Sequence, residues 1–224
     1  MCGRFTLSAS AIDLMRQFEL SDLPTWRPRY NIAPTQEILT VVKMPDAPDR
    51  QALLLRWGLV PPWAEGPAVS SRMINARAET VATKPAFRRA FRERRCLILA
   101  DGFYEWQRQD HRKQSFHIRM QDGRPFAFAG LWERWVPQDG HPIDSCTIIT
   151  TVSNTLIEPL HVRMPVILAA ADSETWLDPT VQDVDRLQPL LRPYPSEEMA
   201  AYPVSTKVNN PANDTPECIA PMEH

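Results

Sequence analysis

Proline is what most restricts the fold of this chain. There are 22 prolines against only 7 glycines in 224 residues. Proline fixes φ and removes a backbone donor, so it ends helices and is confined in sheets to edges, strand starts and bulges. Many turns and strand ends are therefore expected, and long helices are not. The hydrophobic pattern agrees. Alternating or short apolar runs predict strands at residues 37–43, 51–57, 96–99, 103–107, 115–120, 126–132, 146–151 and 163–168, bounded by turn residues. Ser10-Ala-Ile-Asp13 has the spacing of a helix cap and opens an amphipathic segment to Phe18. Residues 83–93 read as helix from Phe87, Ala90 and Phe91. Ser153 is expected to cap a short helix to residue 158, and two more helical pieces fall near 172–177 and 184–191. The prolines from 24 to 34 predict a loop, and the last fourteen residues a loose tail, so the domain is placed at 1–210 with a C-terminal tail at 211–224. Strand–helix alternation is too irregular for a doubly wound parallel fold. The expected class is α+β: one domain with a curved, barrel-like, mostly antiparallel β core and peripheral helices.

Several classes of function find no support. No segment approaches the roughly 20 apolar residues of a membrane helix, and the N-terminus lacks the apolar stretch of a secretory signal. A cytoplasmic protein with reduced thiols is expected. Cys2, Cys96, Cys146 and Cys218 form no CxxC pair, so neither a zinc site built on thiolate pairs nor any other metal or cofactor is expected. No Gly-rich phosphate loop, HExxH or GxSxG occurs. The net charge of −2 points to no polyanion, but its distribution is uneven. From Arg72 to Arg95 eight basic residues face two acidic ones, whereas residues 172–224 hold ten acidic and three basic. An anion can be held on one face of such a protein; a helix face laced with ion pairs is the simpler reading from charge alone.

A few residues can carry chemistry. Cys2 becomes N-terminal if Met1 is removed, placing a free amine of pKa about 8 beside a thiol of pKa about 8.5. Such a residue can condense with an aldehyde to an imine, and the thiol can close on the imine carbon to give a thiazolidine. An internal cysteine cannot, because its nitrogen is an amide. Glu105, among aromatics in Asp101-Gly-Phe-Tyr-Glu-Trp106, is a candidate proton carrier with a raised pKa, or equally a salt-bridged strand end. His161 suits proton transfer, though a lone histidine before a strand is more often a packing residue. Arg163 lies two positions on, and Asn75 and Arg77 repeat that spacing, which puts each pair on one face of an extended segment. Pro34 and Trp63 can wedge against nucleobases, although core packing claims most tryptophans.

Taken in order, these motifs resemble one family. Met1-Cys-Gly-Arg-Phe5, Arg29-Tyr-Asn-Ile-Ala-Pro-Thr-Gln36, Arg56-Trp-Gly-Leu-Val-Pro-Pro-Trp63, Ile74-Asn-Ala-Arg-Ala-Glu-Thr80, Lys84-Pro-Ala-Phe-Arg88, Ala100-Asp-Gly-Phe-Tyr-Glu-Trp106 and His161-Val-Arg-Met-Pro165 are similar to the signatures of the SOS response-associated peptidase (SRAP) family. The resemblance runs from residue 1 to about Asn209. Leu99 departs from it, standing where the family often has proline.

The resemblance implies a monomer that recognises abasic sites in single-stranded DNA, notably near junctions with duplex, and that associates with the nucleoid when engaged. It implies a covalent thiazolidine between Cys2 and C1′ of the ring-opened sugar, formed after Met1 is lost by self-cleavage or to an aminopeptidase. Glu105 would shuttle protons, His161 would protonate the sugar ring oxygen or catalyse reversal, and Asn75 would position cysteine and sugar. Arg4, Arg77 and Arg163 would hold flanking phosphates, with Pro34 and Trp63 against neighbouring bases. Two rivals stand beside this reading. A thiol peptidase using Cys2, His161 and Glu105 would not need a free amine. A reversible single-strand binding module would treat intact and abasic strands alike.

Overall fold

The computed structural model describes residues 2–47, 49–109, 112–138 and 140–222. In chain order the strands are β1 (Phe5–Leu7), β2 (Arg29–Ile32), β3 (Glu37–Lys43), β4 (Arg50–Trp57), β5 (Asn75–Arg77), β6 (Arg95–Ala100), β7 (Gly102–Gln109), β8 (Arg112–Met120), β9 (Phe126–Trp135), β10 (Ile143–Val152), β11 (Arg163–Pro165) and β12 (Met199–Val204). Among the described residues, short α-helices accompany them: α1 (Ala11–Phe18), α2 (Arg88–Glu93), α3 (Ala170–Leu177) and α4 (Val184–Leu187).

Two sheets share the core. Strands β4, β3, β6 and β9 lie side by side, and β10 pairs with both β9 and β4, so these five close into a barrel. Closure removes exposed edges. The second sheet runs β12-β8-β7-β1-β2. Only Asp101 separates β6 of the barrel from β7 of this sheet, which fixes the two together. The expected α+β class with a barrel-like, mostly antiparallel core is the one observed; the β10–β4 and β10–β5 pairings are parallel.

The barrel is filled by aromatic and aliphatic side chains. Phe5 of β1 meets Trp57 and Phe128 edge-on, with ring centroids 5.2 and 5.7 Å apart, a favoured arrangement worth about 0.5–1.5 kcal/mol per pair beyond the buried area. Gly58, just after β4, has φ +124°, and a Cβ there would lie 2.6 Å from the Ser70 carbonyl oxygen. The turn that leads toward Trp63 therefore demands glycine.

Several sequence expectations need correction. Residues 29–32 of the proline-rich segment form a strand, because β1 pairs with them and Asp214 accepts the backbone N–H of Tyr30 and Asn31 at 2.6 and 2.9 Å. The same bonds overturn the loose tail. Residues 211–222 pack against the second sheet, Cys218 is fully buried, and Arg29 pairs with Asp214. The helix expected over 83–93 starts only at Arg88, after turns around Pro85. Ser153 caps no helix; Asn154 Oδ1 instead accepts the Ile157 N–H at 3.0 Å within a run of turns. β12 is an added strand, and its Pro203 is tolerated because β12 lies at the sheet edge.

Candidate functional site

The candidate site forms where the N-terminal end of β1 and the middle of β7 meet the rim of the barrel at β5, β10 and β11. Pairing of Phe5 with Phe103 continues outward through the Tyr104 N–H to the Arg4 carbonyl at 3.0 Å, which carries the chain start alongside Glu105. Phe103, Glu105 and Gln107 share one face of β7 by strand alternation. Phe103 packs on Phe128 in the core. Gln107 Nε2 donates to the Pro159 carbonyl at 3.4 Å, tying this face to the loop that bears His161.

Cys2 is fully buried, and the Asn75 side-chain amide donates to its carbonyl at 2.8 Å. Burial pushes the Cys2 thiol well above its ordinary value, and the negative charge of Glu105 adds to this. The thiol is therefore held protonated. Glu105 is only 3% exposed. Desolvation raises its carboxyl pKa, opposed by the charge of His161 and by the Trp106 backbone N–H. His161 Nδ1 lies 2.9 Å from the Arg163 backbone nitrogen and 3.2 Å from the Arg163 carbonyl oxygen. Thus Cys2, Asn75, Glu105 and His161, scattered in sequence, come together: a protonated thiol, a desolvated carboxylate, an imidazole and an amide that holds the backbone. Asn75 Oδ1 is buried without a hydrogen-bond partner among the described residues, an acceptor available to a bound group.

The arginines differ from one another. Arg77 is exposed and lies opposite Thr150 of β10. Arg163 reaches the same Thr150 carbonyl from β11 and forms an ion pair with Glu79. Arg4 is half-buried, donating to Asn31 Oδ1 at 2.7 Å and to the Val208 carbonyl at 2.8 Å, with its guanidinium over Trp106. Trp63 is 63% exposed. Its turn is closed by the Ala64 N–H on the Pro61 carbonyl and pinned by the Trp135 indole to the Ala64 carbonyl at 2.8 Å. Pro34 is half-buried and precedes Thr35, whose φ of 71° marks a tight turn.

Much of the basic segment 72–95 turns out to hold the frame. The buried guanidinium of Arg95 donates to the carbonyls of Phe91, Arg92, Trp176, Asp178 and Val181. Arg94 pairs with Glu133 and Arg89 with Glu93. The sequence reading missed Glu79, Thr150 and Asn31 as partners of the arginines. Glu79 alone carried a signal, two positions beyond Arg77 in the same extended motif.

All four cysteines are buried and unpaired. No cluster of three or more His, Cys, Asp or Glu able to hold a metal occurs among the described residues. Nor is any described helix long and apolar enough to cross a membrane.

Comparison with known proteins bears on this arrangement. The family model described as SOS response associated peptidase (SRAP) matches residues 1–211. The chain is 47% identical over 223 residues to the abasic site processing protein YoqW of Bacillus subtilis (strain 168), covering 98% of this chain and 99% of that one. It is 32% identical to the abasic site processing protein HMCES of Xenopus tropicalis, over 98% of this chain and 78% of that protein. Among solved structures, a Bacteroides thetaiotaomicron protein superposes with a TM-score of 0.89 at 26% identity, covering 99% of this chain and all of that one. The chain belongs to the SOS response associated peptidase (SRAP) family.

Proposed function

We propose that this protein captures abasic sites in single-stranded DNA, preferentially near junctions with duplex, by forming a thiazolidine between Cys2 and C1′ of the open sugar. The observation that carries the reading is the joint placement of Cys2, Asn75, Glu105 and His161, with Glu105 buried beside the thiol. The similarity to proteins named for abasic site processing supports it.

The chemistry begins once Met1 is removed, by self-cleavage or by an aminopeptidase. The Cys2 amine adds to the C1′ aldehyde, and loss of one water gives an imine. The thiol then adds across the C=N bond: sulfur bonds to C1′ and the thiol proton ends on nitrogen. Every step moves a proton over a short distance. Glu105, with its pKa raised by burial, is placed to accept a proton and return it. His161 assists ring opening by donating a proton to the sugar ring oxygen. Asn75 holds the Cys2 carbonyl so that amine and thiol keep their orientation. Arg4, Arg77 and Arg163 hold phosphates flanking the lesion, while Trp63 and Pro34 stack on or wedge against adjacent bases. Phosphate contacts carry no sequence information, which suits a lesion that lacks a base.

A thiolate peptidase is disfavoured by the burial that keeps the Cys2 thiol protonated. The test is a denaturing gel with a labelled single strand carrying one abasic site. A shifted band that requires both the lesion and Cys2 is expected. Protein shown to lack Met1 that forms no such band would leave reversible binding as the better reading.

A further inference from the structure

The ion pair between Arg163 and Glu79 plays no part in the chemistry above, yet it occupies a telling place. Arg163 Nη1 and Nη2 fork onto the two carboxylate oxygens of Glu79 at 2.6 and 3.0 Å. Nη2 also donates to the Thr150 carbonyl at 2.5 Å and approaches Thr150 Oγ1 at 3.3 Å. The guanidinium is thus anchored from within by a barrel strand and capped from outside by an acid. Exposure is unequal: the Arg163 side chain is 16% exposed and that of Glu79 48%. Arg163 Nε is buried without a hydrogen-bond partner among the described residues. Arg163 in turn holds the Glu79 carboxyl below its usual range, so that it stays charged at neutral pH. A forked guanidinium accepts a carboxylate or a phosphate in the same geometry.

We propose that Glu79 is a specificity-determining residue: its carboxylate occupies the seat on Arg163 that a DNA phosphate takes, so a strand engages Arg163 only by displacing it. This rests on the abasic-strand reading above. A half-exposed ion pair is weak and screened by salt, so displacement is feasible, but the freed carboxylate then stands beside the phosphate. An undamaged strand is held by reversible contacts alone and bears the whole of that penalty. At an abasic site, formation of the covalent bond draws the equilibrium forward. Glu79 therefore shortens unproductive stays on intact DNA.

The experiment measures fluorescence anisotropy of an intact labelled single strand over a salt series, with wild type, E79Q, R163Q and the E79Q/R163Q double variant. Glutamine keeps the shape and can still hydrogen-bond Arg163, and thermal melting verifies that each variant folds. E79Q is expected to bind the intact strand roughly threefold to tenfold more tightly at low salt. Its log–log salt slope should steepen by about 0.7, the increment for one further phosphate on a single strand. The gain should vanish in the R163Q background. An unchanged or weaker affinity for E79Q, or a gain that persists without Arg163, overturns the proposal. The lesion-dependent covalent band of the wild type is measured in parallel: if it is present while E79Q changes nothing, this inference alone fails, and if it is missing, the underlying reading fails with it.

Discussion

Glu105 and Glu133 sit on different sheets, are 3% and 1% exposed, and both have their carboxyl pKa raised by desolvation. Their neighbours separate them. Glu133, on β9, pairs with Arg94, whose guanidinium also lies over Trp132. That is a closed, charge-compensated arrangement in the barrel wall. Glu105, on β7, is grouped with a thiol, an imidazole and a side-chain amide. Burial alone therefore does not mark a functional acid. Glu133 is held by an arginine in the frame, while Glu105 lies where the proposed function needs a proton carrier.

Substitution should separate the two glutamates most sharply in rate. Glu105→Gln is expected to slow covalent capture by about 10²-fold or more, the usual worth of a positioned acid–base group, while Glu133→Gln leaves the rate within about twofold. Single-turnover gels over time measure this, and an equal loss in both variants would erase the distinction. A smaller effect is expected for His161→Gln in the same assay, since in the proposed reaction His161 assists ring opening without bonding to C1′. In stability the two glutamates should behave alike. Burial raises both carboxyl pKa values even with Arg94 beside Glu133, so neither Glu133→Gln nor Glu105→Gln should lower the denaturant midpoint at neutral pH.

The subtlest contrast lies in pH. Because burial raises the Glu105 pKa in the folded protein, the native state binds this proton more readily than the unfolded chain does. Its contribution is most favourable below the ordinary glutamate value and is lost as pH rises through the raised one. Glu105→Gln should therefore be more stable than wild type at pH 8, with the gap closing as pH falls toward about 4. His117 imposes an opposite trend on both proteins. Its ring sits between Thr6 and Tyr202, and burial lowers its pKa to about 4. Stability from His117 is thus lost as pH falls from about 6.5 toward 4, and it cancels in the comparison of variant with wild type.

What the sequence disclosed follows from how local each signal was. Ser10 was legible because its hydroxyl accepts the Asp13 N–H three residues away. β3 and β4 were legible because their alternation and turn are contiguous. β2 was not, since residues 29–32 owe their strand to β1 and to Asp214, which lies more than 180 residues on. β12 was hidden because its proline is permitted only by its edge position, a property of the sheet as a whole. In the site, the types and order of Cys2, Asn75, Glu105 and His161 pointed to chemistry, but the sequence did not show that Cys2 is fully buried. It also left hidden that Arg4 is tied to Asn31 and Arg163 to Glu79, pairs that meet only through folding.

Intact-mass spectrometry of the protein–DNA adduct, followed by mapping of the linked peptide, tests the account most directly. The expected species has the mass of the chain without Met1 plus the abasic strand minus one water, is linked at residue 2, and is missing with Cys2→Ala and with an undamaged strand. An adduct of that mass that survives Cys2→Ala or maps to another residue, or no adduct from protein shown to lack Met1, would contradict capture through an N-terminal cysteine.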